Sequence, residues 1–240
     1  MIRNRGKMVP SFELKRTVCE DNFVLLFRFF SRMMDNGQSI HDGMNSVERI
    51  FKRVMDVLIA CCCLVVFSPI FLFCFVAIKL DDGGPVIFRQ ERIGRWGKSF
   101  RIYKFRSMRV NAEPSGPQLC VTADDERLTR IGVFLRAHHW DEFPQLWNVL
   151  KGEMSLIGPR PERQYYINQI MKADPRYRYL FQIRPGVTSY ATLYNGYTDT
   201  LEKMLVRLRY DLYYLQHRSW QMDLHILWLT FLRMISGRKF

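Results

Sequence analysis

Apolar positions are spread unevenly along this chain, and one run dominates: from Val57 to Ile78 no residue carries a formal charge. As helix, these about 22 residues would reach roughly 33 Å, against a hydrocarbon core of roughly 30 Å. Two features argue against a plain membrane span. Ser68-Pro69 falls near the middle, where proline removes a backbone hydrogen bond and crowds the preceding turn. Both flanks are also basic, with Arg49, Lys52 and Arg53 before the run and Lys79, Arg89, Arg92, Arg95 and Lys98 after it. Cationic flanks favour the cytoplasmic side. A bent helix that re-enters through the same face, turning at Ser68 and Pro69, satisfies both observations. A kinked crossing helix stays open on this reasoning.

The remaining pattern is that of a mixed, mainly helical domain. Residues 1–47 read as a basic N-terminal extension, with a short apolar stretch from Asn22 to Phe30 that Arg28 interrupts and a turn at Asp35-Asn36-Gly37. Residues 48–80 hold the membrane helix, and 81–240 a compact cytosolic domain. Strand-like pieces at Val86–Gln90 and Phe100–Phe105 flank Gly94-Arg95-Trp96-Gly97, which predicts a small β-hairpin. The stretch from Asn111 through Ala123 reads as loop. Helices are expected over Leu128–Arg136, Pro144–Leu150, Glu162–Lys172, Asp199–Gln216 and Ser219–Ile235. In the last, Leu224, Leu227, Trp228, Phe231, Leu232 and Ile235 recur at helical spacing, with Trp220, Arg233, Arg238 and Lys239 nearby. That suits an amphipathic helix lying in a membrane interface or an ordinary core helix. The fold class is therefore α+β, mainly helical, with a re-entrant helix hairpin and interfacial helices.

Charge narrows the partners. The 240 residues carry a net charge of +13, which attracts acidic lipid, phosphorylated substrates or nucleic acid. Six cysteines form no disulfide framework: Cys61, Cys62, Cys63 and Cys74 lie in the apolar run, and Cys19 and Cys120 are isolated. This suits a reducing compartment. No secretory signal peptide is visible in residues 1–38.

The usual nucleotide, zinc-protease and serine-hydrolase signatures are absent. His138-His139 makes a poor two-histidine metal site, because adjacent side chains point apart. What remains is Trp140-Asp141-Glu142-Phe143-Pro144, where proline suits a first helical turn and Asp141 falls at or near its N-cap, a position that favours the ionised carboxylate. Arg127, Arg130 and Arg136 precede the pair; Lys151, Arg160 and Arg163 follow it. Arginine is well suited to gripping phosphate oxygens. Carboxylates bracketed by arginines beside a membrane segment fit divalent-metal and phosphate chemistry, while a plain helix cap remains the alternative.

Taken in order, four stretches resemble the bacterial sugar transferase family, the monotopic polyprenyl-phosphate phosphoglycosyl transferases. They are Lys52-Arg53-Val54-Met55-Asp56 with the Ser68-Pro69 break, the block 88–108, the block 124–162, and 183–197 with the tyrosine-rich stretch after it. The likeness covers roughly 48–238, and it is with the compact members, since the larger relatives' extra membrane helices are not seen. It implies transfer of a sugar 1-phosphate from a UDP-sugar to polyprenyl (undecaprenyl) phosphate through a covalent aspartyl intermediate, with release of UMP, at the cytoplasmic face of a bacterial inner membrane. It also implies Asp141 as nucleophile, Glu142 with Asp141 at a magnesium ion, Arg136, Arg160, Lys104 and Arg106 on phosphate, and Asp56 as a helix anchor or cap. Implied partners are the UDP-sugar, the polyprenyl phosphate and anionic membrane lipids, with no nucleic acid; a homodimer is compatible. Departures are His138 and His139 after a base, and Ser189-Tyr190 after the Arg-Pro-Gly turn; with them the resemblance implies the reaction but not which sugar is used. Two other readings stay open: a membrane-anchored nucleic-acid-binding protein, suggested by charge, interleaved aromatics and the Gly94/Gly97 turn, and an inactive scaffold of the same fold.

Overall fold

The long apolar run folds as two helices, α1 (Ser46–Val66) and α2 (Ser68–Asp82), bent by 60° at Phe67. The structure is a computed structural model that describes residues 40–110, 112, 125–195 and 198–236, without the side chains of 235 and 236. The expected features of residues 1–39, most of the 111–123 loop, Cys120, Arg238 and Lys239 lie outside the described residues.

Local chemistry explains the bend. Pro69 sits in the first turn of α2, where its missing N–H and fixed φ cost least. Continuing α1 would require an N–H from Pro69 to the Val65 carbonyl, which proline cannot supply; instead the Ser68 hydroxyl donates to that carbonyl at 2.8 Å. Helical bonds continue on either side, from Phe67 N–H to the Cys63 carbonyl and from Phe71 N–H to the Phe67 carbonyl. Asn45 caps α1, in a reciprocal capping box with Glu48. Gly83, with φ of +72°, ends α2.

Both arms of the bent pair are tied into one folded unit. In α1, Arg53 donates to the Val149 and Leu150 carbonyls, and Lys52 pairs with Asp223 at 2.6 Å. Asp56 accepts from the Ser155 hydroxyl at 2.7 Å and the Leu156 N–H at 3.2 Å. It lies well inside α1, so it anchors the helix and does not cap it. At the far end of α2, Asp81 accepts from Ile131 N–H and Asp82 pairs with Arg106. Alongside these fastenings apolar side chains stay uncovered: Val47, Ile50, Phe51, Val54 and Leu58 on α1, and Leu72, Phe73, Phe75 and Val76 on α2. No single helix among the described residues is long and apolar enough to cross a membrane; the bent pair together passes by length and composition.

The hairpin is present, longer than its apolar positions suggest. β1 (Ile87–Ile93) and β2 (Ser99–Phe105) pair antiparallel from Ile87 opposite Phe105 to Ile93 opposite Ser99. Trp96 and Gly97 both take positive φ at the turn. After it come α3 (Arg130–Ala137), α4 (Gln145–Lys151), β3 (Ser155–Ile157), α5 (Gln164–Ala173), a 3-10 stretch at Pro175–Gln182, β4 (Gly186–Thr188), α6 (Tyr190–Asn195), α7 (Leu201–His217) and α8 (Trp220–Ser236). The parallel β3–β4 pair was not expected. Gly158 and Gly186 allow its close crossing, since a Cβ on Gly186 would stand 2.1 Å from the Gly158 nitrogen. Cys74, Ile78, Val86, Phe105 and Leu135 form a buried cluster joining α2, the hairpin and α3. α8 leaves Trp220, Leu224, Trp228, Phe231 and Leu232 exposed, so this apolar face is not packed into the core of the described residues.

Candidate active site

The two acids sit in a tight 3-10 turn, Trp140–Glu142, not at a helix cap as expected. Pro144 occupies the N-cap position of α4, three residues beyond Asp141. The chain leaves α3 and reverses at His139, which adopts φ of +57°. Such a conformation is uncommon for residues other than glycine, and here it delivers Asp141 inward.

Aromatic packing holds that turn against the bent helix. Phe143 stacks on Phe67 at 5.2 Å between ring centroids and on Phe71 at 6.3 Å. Trp140 meets Phe73 and Phe134 edge to face. The residues on either side of Asp141-Glu142 therefore touch the bend and the first turns of α2. Gly132 brings α3 close to the strand end beneath, because a Cβ there would stand 1.9 Å from the Ser107 carbonyl oxygen.

Cations converge on the pair from separate elements. Lys104 of β2 bonds Glu142 at 2.6 Å and stands 3.9 Å from Asp141. Arg160, in the turn after β3, is 3.5 Å from Glu142. Arg136, in the last turn of α3, donates to the Ser107 hydroxyl and acts electrostatically on Asp141. The structure thus gathers Asp141, Glu142, Lys104, Arg136 and Arg160. Arg106 is different: its buried guanidinium is paired with Asp82, and its Nε and one terminal nitrogen have no partner among the described residues. Ser68 and Pro69 belong to the bend.

The acids differ in charge preference. Burial pushes Asp141 above the ordinary aspartate value and the neighbouring Glu142 adds to this, with Lys104 opposing both. The expectation that helix-end N–H groups would favour its ionised form is therefore overturned; desolvation dominates. Burial also opposes the charge on Glu142, but Lys104 and Arg160 outweigh it and hold that carboxyl well below its usual range. One buried acid is kept as a ready anion, its neighbour is destabilised as one. Burial, with Arg160, Lys104 and His138 nearby, also holds His139 below the ordinary histidine value, against the pull of Glu142.

Two supporting residues escaped the sequence reading. Glu162 is buried between Arg207 and Arg92, and Arg92 also donates to the Pro161 carbonyl. This braces the turn that carries Arg160. Asn148 accepts from Tyr103 N–H and donates to the Arg101 carbonyl, stapling α4 to the strand that carries Lys104. Neither has a local signal, since their partners lie far away in sequence.

A buried acid pair on an aromatic turn, faced by cations from a strand and a proline-flanked turn, sits within a region shared with known proteins. The bacterial sugar transferase family model matches residues 47–237, and the chain belongs to this family. It is 41% identical over 186 residues to a UDP-N-acetylgalactosamine-undecaprenyl-phosphate N-acetylgalactosaminephosphotransferase of Aeromonas hydrophila, covering 78% of this chain and 44% of that protein. It is likewise 41% identical over 189 residues to a UDP-glucose:undecaprenyl-phosphate glucose-1-phosphate transferase of Klebsiella pneumoniae, covering 78% of this chain and 40% of the relative. The chain thus spans less than half the length of those two relatives. An exopolysaccharide production protein of Rhizobium leguminosarum is 38% identical over 199 residues, which are 80% of this chain and 99% of that protein.

Proposed function

We propose that this protein transfers a sugar 1-phosphate from a UDP-sugar to polyprenyl phosphate, with Asp141 as the nucleophile, and so initiates assembly of a glycoconjugate or surface polysaccharide. The observation that carries the reading is the unequal acid pair. The Asp141 carboxylate accepts no hydrogen bond among the described residues and has only Lys104, 3.9 Å away, as a close ion partner. A carboxylate so poorly satisfied is reactive once ionised.

In the proposed first step an Asp141 oxygen attacks the β-phosphorus of the UDP-sugar. A phosphorus–oxygen bond forms to the carboxylate, and the bond from the β-phosphorus to the bridging oxygen breaks. That oxygen leaves on UMP. In the second step a phosphate oxygen of the polyprenyl phosphate attacks the same phosphorus, the bond to Asp141 breaks, and a polyprenyl diphosphate sugar results. No proton has to be supplied in either step. Lys104, Arg136 and Arg160 suit the growing negative charge on the transferred phosphoryl oxygens, and Glu142 keeps Lys104 and Arg160 positioned near it.

The acids also fit magnesium. That ion needs only one or two carboxylates and completes its shell with substrate phosphate and water, which matches adjacent acids; among the described residues no cluster of three or more metal-binding side chains offers a closed cage. Glu142 and Asp141 would hold it, and when bound it supplies neutralisation of the diphosphate charge.

A lipid-borne acceptor requires the site to meet the membrane, and the same reading makes α1 and α2 a re-entrant hairpin at the cytoplasmic face. Support comes from the fastening of both arms to one unit, the apolar side chains left uncovered on them, and the contact of Trp140 and Phe143 with the bend. The exposed apolar face of α8 suits an interfacial helix.

The test is incubation of the purified protein with magnesium, undecaprenyl phosphate and a panel of UDP-sugars, with the nucleotide product identified. UMP from one donor is expected, and it names the sugar. UDP in its place would mean transfer at the sugar carbon and would overturn attack on phosphorus.

A further inference from the structure

A second group of cations surrounds a cavity that shares no residue with the acid pair. Arg49, Lys52, Arg53, Arg95, Arg184 and Arg218 line a pocket of about 40 Å³. Three carboxylates compensate these six charges. Asp42 takes Arg218 at 2.6 Å and Arg49 at 3.3 Å; Lys52 lies 2.6 Å from Asp223 and 3.8 Å from Asp56. Asp56 is further engaged by Ser155 and Leu156.

The deficit falls on Arg53, whose guanidinium donates to the Val149 and Leu150 carbonyls, and on the pair Arg95 and Arg184. Each of that pair commits its Nε to a backbone carbonyl, Gln182 at 2.9 Å and Gly152 at 2.8 Å, and neither has a carboxylate within ion-pair distance among the described residues. Burial and the neighbouring guanidinium groups lower the proton affinity of both. Like charges brought together at a partly buried site are unfavourable unless an anion joins them. A cavity needs roughly 10–15 Å³ to hold one water-sized group, so this one has room for the oxygens of a phosphate.

Position supplies the source. Arg49, Lys52 and Arg53 come from the same two turns of α1 that expose Val47, Ile50, Phe51 and Val54. We infer that this cavity is a phosphate-binding site separate from the acid pair, occupied by the phosphodiester headgroup of an acidic membrane lipid. A soluble phosphate shares the chemistry; the lipid source rests on the membrane-facing reading of α1, whereas phosphate binding as such does not.

The test uses the full chain in neutral detergent and measures binding through thermal stabilisation and native mass spectrometry. The probes are phosphatidylglycerol, phosphatidylcholine, and inorganic phosphate at matched ionic strength. Phosphatidylglycerol is expected to bind about tenfold more tightly than phosphatidylcholine, and the double variant Arg95→Gln/Arg184→Gln to lose at least about fivefold of that affinity. Asp141→Asn is expected to retain it. Should the double variant fold poorly, the exposed Arg49→Gln is expected to lose about two- to threefold. Equal protection by inorganic phosphate, lost in the same variants, would overturn the lipid source in favour of a soluble one. Phosphatidylglycerol binding that ignores these arginines, or that vanishes in Lys104→Met alone, would overturn the site. UMP release is read separately, so failure here is distinct from failure of the transferase reading.

Discussion

Two buried aspartates, Asp56 and Asp141, each lie beside a lysine, and their surroundings are opposite. Asp56 is saturated by the Ser155 hydroxyl, the Leu156 N–H and Lys52, which fasten α1 to β3. Asp141 is as deeply buried, yet its carboxylate accepts no hydrogen bond among the described residues, and Lys104 gives its short bond to Glu142 instead. Burial of an anion is costly unless its oxygens are satisfied. The first aspartate therefore reads as structure and the second as chemistry, a distinction that rests on partners and not on residue type or depth.

The sharpest way to break the contrast is to remove each carboxylate in turn. Asp141→Asn is expected to lower turnover by a factor on the order of 10³ or more, while circular dichroism and cooperative unfolding remain native. Asp56→Ala is expected to do the reverse, lowering unfolding free energy by about 3 kcal/mol, because the Ser155 hydroxyl, Leu156 N–H and Lys52 lose their acceptor. Denaturant titration of both variants decides the matter; equal stability losses would erase the distinction.

Titration sharpens it further. Asp141 is raised, so its contribution to folding is present below the ordinary aspartate value and is lost as pH rises through the raised one. Glu142 is lowered, so its contribution is present above the ordinary glutamate value and lost as pH falls through the depressed one. Asp141→Asn is thus expected to be more stable than the unaltered protein at pH 8, with the gain shrinking toward pH 4. Attack requires ionised Asp141, so activity rises with pH through the raised value. Lys104→Met removes the main charge favouring ionisation of both acids, and is expected to move the acid limb of the rate profile to higher pH. An unmoved limb would show that another group controls it.

The smallest effect concerns the bend. Ser68→Ala removes the hydroxyl that serves the Val65 carbonyl in place of the Pro69 N–H, and is expected to cost about 1 kcal/mol in denaturant unfolding. Its effect on turnover is expected to be under about twofold, since the stacking of Phe143 on Phe67 and Phe71 still holds the acid turn.

Most helices and the hairpin were legible because their signals are local: strand-like pieces flanking Gly94 and Gly97, helical spacing in α8, proline and charge around the apolar run; α6, six residues long, was not. The gathering of acids and arginines was legible from residue types and resemblance. What failed depends on distant partners. The β3–β4 pair has three residues per strand, too few for a period to register, and joins segments some thirty residues apart. Asp141 looked like an N-cap because Pro144 follows, but the positive φ at His139 turns it inward before α4 begins. The pairing of Arg106 with Asp82, which joins the hairpin to the end of α2, likewise has no local signal.

Intact-protein mass spectrometry after incubation with magnesium and the accepted UDP-sugar, without polyprenyl phosphate, tests the central claim most directly. The account predicts a mass gain equal to one sugar phosphate, mapped to Asp141, with an equivalent of UMP released and no gain in Asp141→Asn. Unmodified protein that turns over normally when acceptor is added, or an adduct on another side chain, would contradict it.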